Sequence, residues 1–145
     1  MSRHLKFRLV TILLILCAFL LVAHGQAAQN PQIYGGPDGL TGADCEGVMM
    51  RLDFIAIAAE ESGKDQAIIV IARLGTGERS RKLVGGRLRQ VADYLNRRMP
   101  RERIITAEGE RVRGLGQLEF YVGGNLHSIF KVKRNRDLVA GCGAS

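Results

Sequence analysis

Basic side chains cluster at the start of one predicted helix: Arg79, Arg81, Lys82, Arg87 and Arg89. A helix N-terminus already carries partial positive charge, so cations are unfavourable there. The same arrangement can bind an anion, because guanidinium groups and free backbone N–H groups would then point at one place. Two hypotheses therefore stand side by side, an anion-binding site and a solvated basic face without a ligand.

Residues suited to catalysis are scarce. Of three histidines only His127 lies beyond residue 27, so the remaining chain does not convincingly supply a His-rich metal site or a Ser-His-Asp triad with any spare base. Gly75-Thr76-Gly77 resembles the start of a dinucleotide-binding turn, but Ser80 occupies the place of the third glycine. Glu108 and Glu110 would share one face of a strand, either as an acid/base pair or as two solvated residues. We predict a protein that is not an enzyme and has no cofactor or metal.

The first 27 residues resemble a secretory signal peptide. Arg3, Lys6 and Arg8 precede an uncharged run over residues 9–23, and small residues follow at 23–27. The run is shorter than the roughly 20 apolar residues of a membrane span, and cleavage is expected after Gly25 or Ala27. An uncleaved anchor is the alternative, and it would give membrane contact through this segment. We predict an exported protein of the periplasm or cell envelope.

Export changes what the charge and the cysteines imply. Removing residues 1–27 takes away three basic and no acidic side chains, which lowers the formal net charge from +7 to +4. An exported chain rarely meets nucleic acid, so the basic excess points to anionic lipid, lipopolysaccharide or cell-wall polymer. Cys45 and Cys142 remain, and in an oxidising compartment they predict one disulfide, with two free thiols as the alternative.

Hydrophobic periodicity predicts the elements that position these residues. They are a helix over residues 43–62 ended by Gly63, a strand over 66–72 buried on both faces, a helix over 81–98, and strands over 103–107 and 117–122. This order predicts an α+β fold, a two-layer sandwich with the helices on one face of a small mixed sheet. Residues 28–42 are predicted to be a linker, 43–124 the domain, and 125–145 a basic tail fixed through Cys142.

The second helix carries a family resemblance. Its segment L-V-G-G-R-L-R-Q-V-A-D-Y-L, residues 83–95, resembles the L-S-x-x-R-A-x-x-V-x-x-Y-L helix of the OmpA-like, peptidoglycan-associating domain. The strand before it resembles that family's buried strand. Residues 101–110 resemble its third strand and G-x-G-E turn, and residues 117–122 its closing strand. The resemblance covers about residues 68–123 and implies an OmpA-like sandwich.

The resemblance also implies a ligand. In that family an aspartate at the end of the buried strand binds the ammonium of diaminopimelate in the peptidoglycan stem, and the helix arginine binds a carboxylate. Arg87 matches the arginine, whereas the aspartate's place falls on Ala72 or Arg73. We therefore predict ligand binding through Arg87, with Arg73, Arg79 and Arg81 beside it. The expected partner is peptidoglycan, another anionic envelope component or an envelope protein. The alternative is a structural or protein-interaction module that has lost the ligand site.

Overall fold

The computed structural model describes residues 30–36, 45–63 and 65–138. The elements, in chain order, are β1 (Gln32–Tyr34), α1 (Cys45–Glu61), β2 (Ile68–Arg73), α2 (Arg81–Leu95), a short 3₁₀ helix (Arg101–Arg103), β3 (Ile104–Glu108), β4 (Gly116–Val122) and β5 (Asn125–Val132). Within these ranges neither helix has the length and apolar character needed to cross a bilayer.

The five strands form one mixed sheet in the order β1-β5-β4-β2-β3. β2 runs parallel to β3, and β1 runs parallel to β5. β4 is antiparallel to both of its neighbours. Gly123 and Gly124 join β4 to β5 with φ angles of 57° and 81°, which a glycine adopts without steric cost. The hairpin therefore sits between the parallel pair β2–β3 and the edge strand β1.

Both helices pack on the same face of the sheet. Alternate residues of β2, namely Ile68, Val70 and Ala72, are buried, and those between them are half-buried. The buried set continues into α1, α2, β4 and β5 as one hydrophobic core. The predicted α+β fold, with two helices against a mixed sheet, is confirmed. The prediction that β2 is buried on both faces is wrong, because in the described part of the chain the helices cover one face.

The ends of the helices follow local chemistry. Ser80 caps α2, its Oγ accepting from the N–H of Lys82 at 3.2 Å. Gly63, with φ 135°, follows α1, as the sequence predicts. α2 ends at Leu95 instead of residue 98, because residues 96–98 form a turn in which the N–H groups of Arg97 and Arg98 donate to carbonyls only three residues back, at 3.1 and 2.8 Å.

The main correction concerns the predicted tail. Residues 125–132 of the predicted tail are instead the strand β5, which lies inside the sheet between β1 and β4. Part of the predicted linker is β1, whose Tyr34 ring meets the Phe130 ring edge-on at 5.2 Å. Ser128, Phe130 and Val132 are buried at two-residue spacing after a Gly-Gly turn, which is a hairpin signal. The folded unit therefore extends beyond the predicted 43–124 in both directions.

Other predictions fall on residues outside the described ranges. The signal peptide, residues 1–27, is among them, and so is Cys142. Cys45 begins α1. Because Cys142 is not described, its pairing with Cys45 stays a prediction.

Candidate anion-binding site

Arg87 and Glu78 form a buried ion pair beneath the start of α2. Arg87 is 0% exposed and Glu78 is 1% exposed. The Arg87 guanidinium binds both carboxylate oxygens, with Nη2–Oε1 at 2.5 Å and Nη1–Oε2 at 3.1 Å. Such a bidentate pair fixes the orientation of both side chains. We call these two residues the buried pair.

Main-chain groups complete the coordination of Glu78. Its Oε2 accepts from the N–H of Gly75 at 2.8 Å, and its Oε1 accepts from the N–H of Asn135 at 3.0 Å. Burial alone would raise the pKa of Glu78, but the bonds from Arg87, Gly75 and Asn135 together hold that pKa below its ordinary value. Glu78 is therefore a carboxylate at neutral pH.

The same pair holds the segment that follows β5. Arg87 Nε and Nη2 donate to the Arg136 carbonyl at 3.0 and 2.8 Å, and Nη2 also reaches the Lys133 carbonyl at 3.3 Å. We call residues 133–137 the C-terminal turn. Asn135 within it has φ 55°, a conformation that asparagine tolerates better than most residues. A segment distant in sequence is thus fixed over the start of α2.

Two glycines make room for this arrangement. A Cβ on Gly116 would lie 2.3 Å from Glu78 Oε2 and 2.6 Å from Arg87 Nη1, so a larger residue would displace the buried pair. A Cβ on Gly86 would lie 3.0 Å from Asp137 Oδ1, so the C-terminal turn packs closely on the helix. The neighbouring Gly85 differs, because a Cβ there would meet nothing within 4 Å.

Arg111 fixes the loop between β2 and α2. Its Nη1 donates to the carbonyls of Gly75 at 2.8 Å and Glu78 at 2.5 Å. The Thr76 N–H donates to the Gly114 carbonyl at 2.8 Å, which ties this loop to the segment before β4. Three separate parts of the chain therefore meet around the buried pair.

Exposed cations from these three parts and from the first turn of α2 form what we call the basic rim: Arg79, Arg81, Lys82, Arg113, Lys133, Arg134 and Arg136. The Arg134 side chain lies along Gly77, where an added Cβ would be 3.6 Å from its Nε. Among the described residues, Arg81 is the one rim cation in an ion pair, with Glu108 at 3.6 Å. The rim can attract an anionic polymer, since nearby cations reinforce one another's potential.

The structure separates the four predicted ligand residues. Arg79 and Arg81 are exposed on the basic rim, and Arg87 lies buried below it. Arg73 points to the sheet face opposite the helices, where its Nε binds Glu119 Oε1 at 2.8 Å. The Arg87 nitrogens are all engaged inside the protein, so its burial favours a structural role over direct ligand contact.

Glu119 is the centre of a second polar cluster on that opposite face. It accepts from Arg73, from Gln117 Nε2 at 2.6 Å and from the Tyr121 hydroxyl at 3.0 Å. Burial alone would raise the pKa of Glu119, but these donors hold it below the ordinary value. Burial and the bond to Glu119 raise the pKa of Tyr121. The polar groups of this cluster bind one another, and the cluster lies on the sheet face opposite the helices.

The residues considered for catalysis are not assembled into a site. Glu108 and Glu110 are exposed, and the Glu110 carbonyl accepts from Arg73 at 3.4 Å. His127 Nδ1 lies 2.6 Å from Ser128 Oγ, but Ser128 is 0% exposed. Burial lowers the pKa of His127. In the described ranges no group of three or more His, Cys, Asp or Glu side chains could hold a metal ion.

Sequence reasoning missed two parts of the site. Glu78 was not paired with Arg87, because the family comparison placed the acidic residue at the end of the strand. The cations of the C-terminal turn were assigned to a tail. No family model, curated protein or solved structure matches the chain.

Proposed function

We propose that this is a non-enzymatic, exported cell-envelope protein that binds an anionic envelope polymer, peptidoglycan in the first place, through the basic rim. One observation carries the proposal. The buried pair brings Lys133, Arg134 and Arg136 to the end of the fold that already presents Arg79 and Arg81. Peptidoglycan stems carry carboxylates, which guanidinium groups bind with two parallel hydrogen bonds.

The rim suits an extended polymer better than a small enclosed ligand. Its cations come from the loop, the first turn of α2, the segment before β4 and the C-terminal turn, and they are exposed. Contacts of this kind are individually weak and are screened by salt, so binding should need several of them at once and should weaken as ionic strength rises.

Cosedimentation with purified cell-wall sacculi over a range of salt concentrations tests this function. The key variant carries Lys133→Ala, Arg134→Ala and Arg136→Ala. Its matched control carries Arg97→Ala, Arg98→Ala and Arg101→Ala, which removes three exposed cations beyond the other end of α2. We expect the rim variant to lose most of its binding and the control to keep it. Equal loss in both would show nonspecific charge attraction.

A second candidate is a structural or protein-interaction module of OmpA-like ancestry that has lost the ligand site. The burial of Arg87 favours it, because the residue that resembles the family's ligand arginine is occupied by Glu78 and by main-chain carbonyls. If the wild-type protein fails to sediment with sacculi even at low salt, that result would support this second function.

A further inference from the structure

We infer that Glu78 and Arg87 are positioning residues for the basic rim, and that polyanion affinity depends on their hold on the C-terminal turn. The inference rests on the proposed function and names what regulates the geometry of that site. Neither residue touches the ligand, since both are buried. They act through Lys133, Arg134 and Arg136, which belong to the turn they hold.

The buried pair binds the C-terminal turn only through main-chain atoms of the turn. Glu78 accepts from the Asn135 N–H, and Arg87 donates to the carbonyls of Lys133 and Arg136. The side chains of Lys133, Arg134 and Arg136 take no part in these bonds and are exposed. The turn is therefore fixed in a way that leaves its cations free to bind a partner.

Without these hydrogen bonds, electrostatic repulsion would favour movement of the C-terminal turn away from the start of α2. Its three cations are held at the same end of the fold as Arg79, Arg81 and Lys82, so like charges repel across the rim. In the described part of the chain, the hydrogen bonds from the turn to the rest of the fold all go to Glu78 and Arg87. The bonds of the buried pair thus oppose the repulsion that the rim itself creates.

Asn135 offers a test that leaves every rim cation in place. Asn135→Pro removes the N–H that binds Glu78 and forbids the observed φ of 55°. Asn135→Gly keeps both the N–H and the conformation, so it is the conservative variant. Glu78→Gln provides a second route, because it removes the charge of the acceptor while nearly keeping its shape.

Affinity is measured with two probes, poly-L-glutamate and purified sacculi, at temperatures where circular dichroism shows each variant folded. We expect Asn135→Pro and Glu78→Gln to bind poly-L-glutamate about tenfold more weakly, with a shallower salt dependence, because the turn's cations no longer act together. Asn135→Gly should restore the wild-type affinity and salt dependence. A purely structural role would lower the unfolding temperature and leave both binding readouts unchanged.

The two probes separate this inference from the proposed function. If wild-type protein binds poly-L-glutamate but not sacculi, the proposed function fails, and a weaker affinity of Asn135→Pro for poly-L-glutamate still supports the positioning role. If folded Asn135→Pro and Glu78→Gln bind poly-L-glutamate as tightly as wild type, the inference is wrong. If wild-type protein binds neither polymer, the rim is not an anion site and both proposals fall.

Discussion

Two arginine–carboxylate pairs near opposite ends of α2 differ in what they do for the protein. Arg87 and Glu78 are 0% and 1% exposed, and main-chain groups of the loop and the C-terminal turn complete their bonding. Arg98 and Asp53 meet at 2.9 Å, but their side chains are 51% and 35% exposed. The buried pair therefore organises three chain segments, whereas the exposed pair links α1 to the turn after α2 at the surface.

Solvent explains the difference. A buried charge that loses its partner cannot be solvated, whereas an exposed charge that loses its partner is hydrated at once. A Cβ on Gly116 would overlap both members of the buried pair, so there is no free space beside them. At the exposed pair there is a shallow groove, which is lined by Asp53, Ala56, Ile57, Glu60 and Arg98. Substitutions at the two places should therefore have very different consequences.

The largest effect is expected for Arg87→Ala. It leaves the Glu78 carboxylate buried without its partner and releases the carbonyls of the C-terminal turn, which should cost about 3–5 kcal/mol of unfolding free energy. Urea unfolding followed by circular dichroism measures this. A loss below about 1 kcal/mol would mean that the pair is hydrated in solution and that the comparison with the exposed pair does not hold.

A smaller loss, about 1–3 kcal/mol, is expected for Gly116→Ala, because the new methyl group would overlap Glu78 Oε2 and Arg87 Nη1. Gly85→Ala is the matched control. A Cβ there meets nothing within 4 Å, and alanine should stabilise α2 by up to about 1 kcal/mol. If Gly116→Ala is as stable as wild type in the same urea titration, the Glu78 carboxylate does not lie beside Gly116 in solution.

Acid should destabilise the fold in part by protonating Glu78 of the buried pair. The pKa of Glu78 is lower in the folded protein than its ordinary value, so its stabilising contribution is complete above about pH 4.3 and is lost as the pH falls through the folded pKa. Glu119 behaves in the same way. Unfolding free energies measured from pH 7 to pH 3 should fall less steeply in Glu78→Gln than in wild type. Parallel slopes would remove Glu78 from the acid response.

The smallest effect is expected for Arg98→Ala. Asp53 would keep its hydrogen bond from the Tyr94 hydroxyl at 2.9 Å and would gain water in place of the guanidinium. The urea midpoint should stay within experimental error of wild type, and added salt should not change it further. A shift comparable to that of Arg87→Ala would show that exposure does not separate the two pairs.

Periodicity in the sequence was sufficient for both helices and for β2, β3 and β4, because their apolar spacing matches one type of element. The same periodicity indicates that Arg87 is buried, because Arg87 lies three residues after Val84 and four before Val91 on the buried face of α2. The sequence predicts a basic tail in place of β5, because Lys131 lies within the strand and Lys133, Arg134 and Arg136 follow directly after it.

The buried pair could not be assembled from local pattern. Its Arg87 binds a carbonyl 49 residues away, and its Glu78 binds an N–H 57 residues away. Local spacing indicates which residues share an element, whereas these contacts depend on how β5 returns through the sheet. All rim cations except Arg113 could be predicted from the sequence in two groups, but their meeting at one end of the fold could not.

The most direct test of the central claim is a map of amide chemical-shift changes in the wild-type protein during titration with soluble peptidoglycan fragments. We expect the shift changes to concentrate on residues 79–82, 113 and 133–137, to grow with ligand concentration and to fade as salt is added. Residues around Asp53 and Arg98 should stay unperturbed. Changes centred on that groove or on the sheet face around Glu119, with the rim unaffected, would contradict the account.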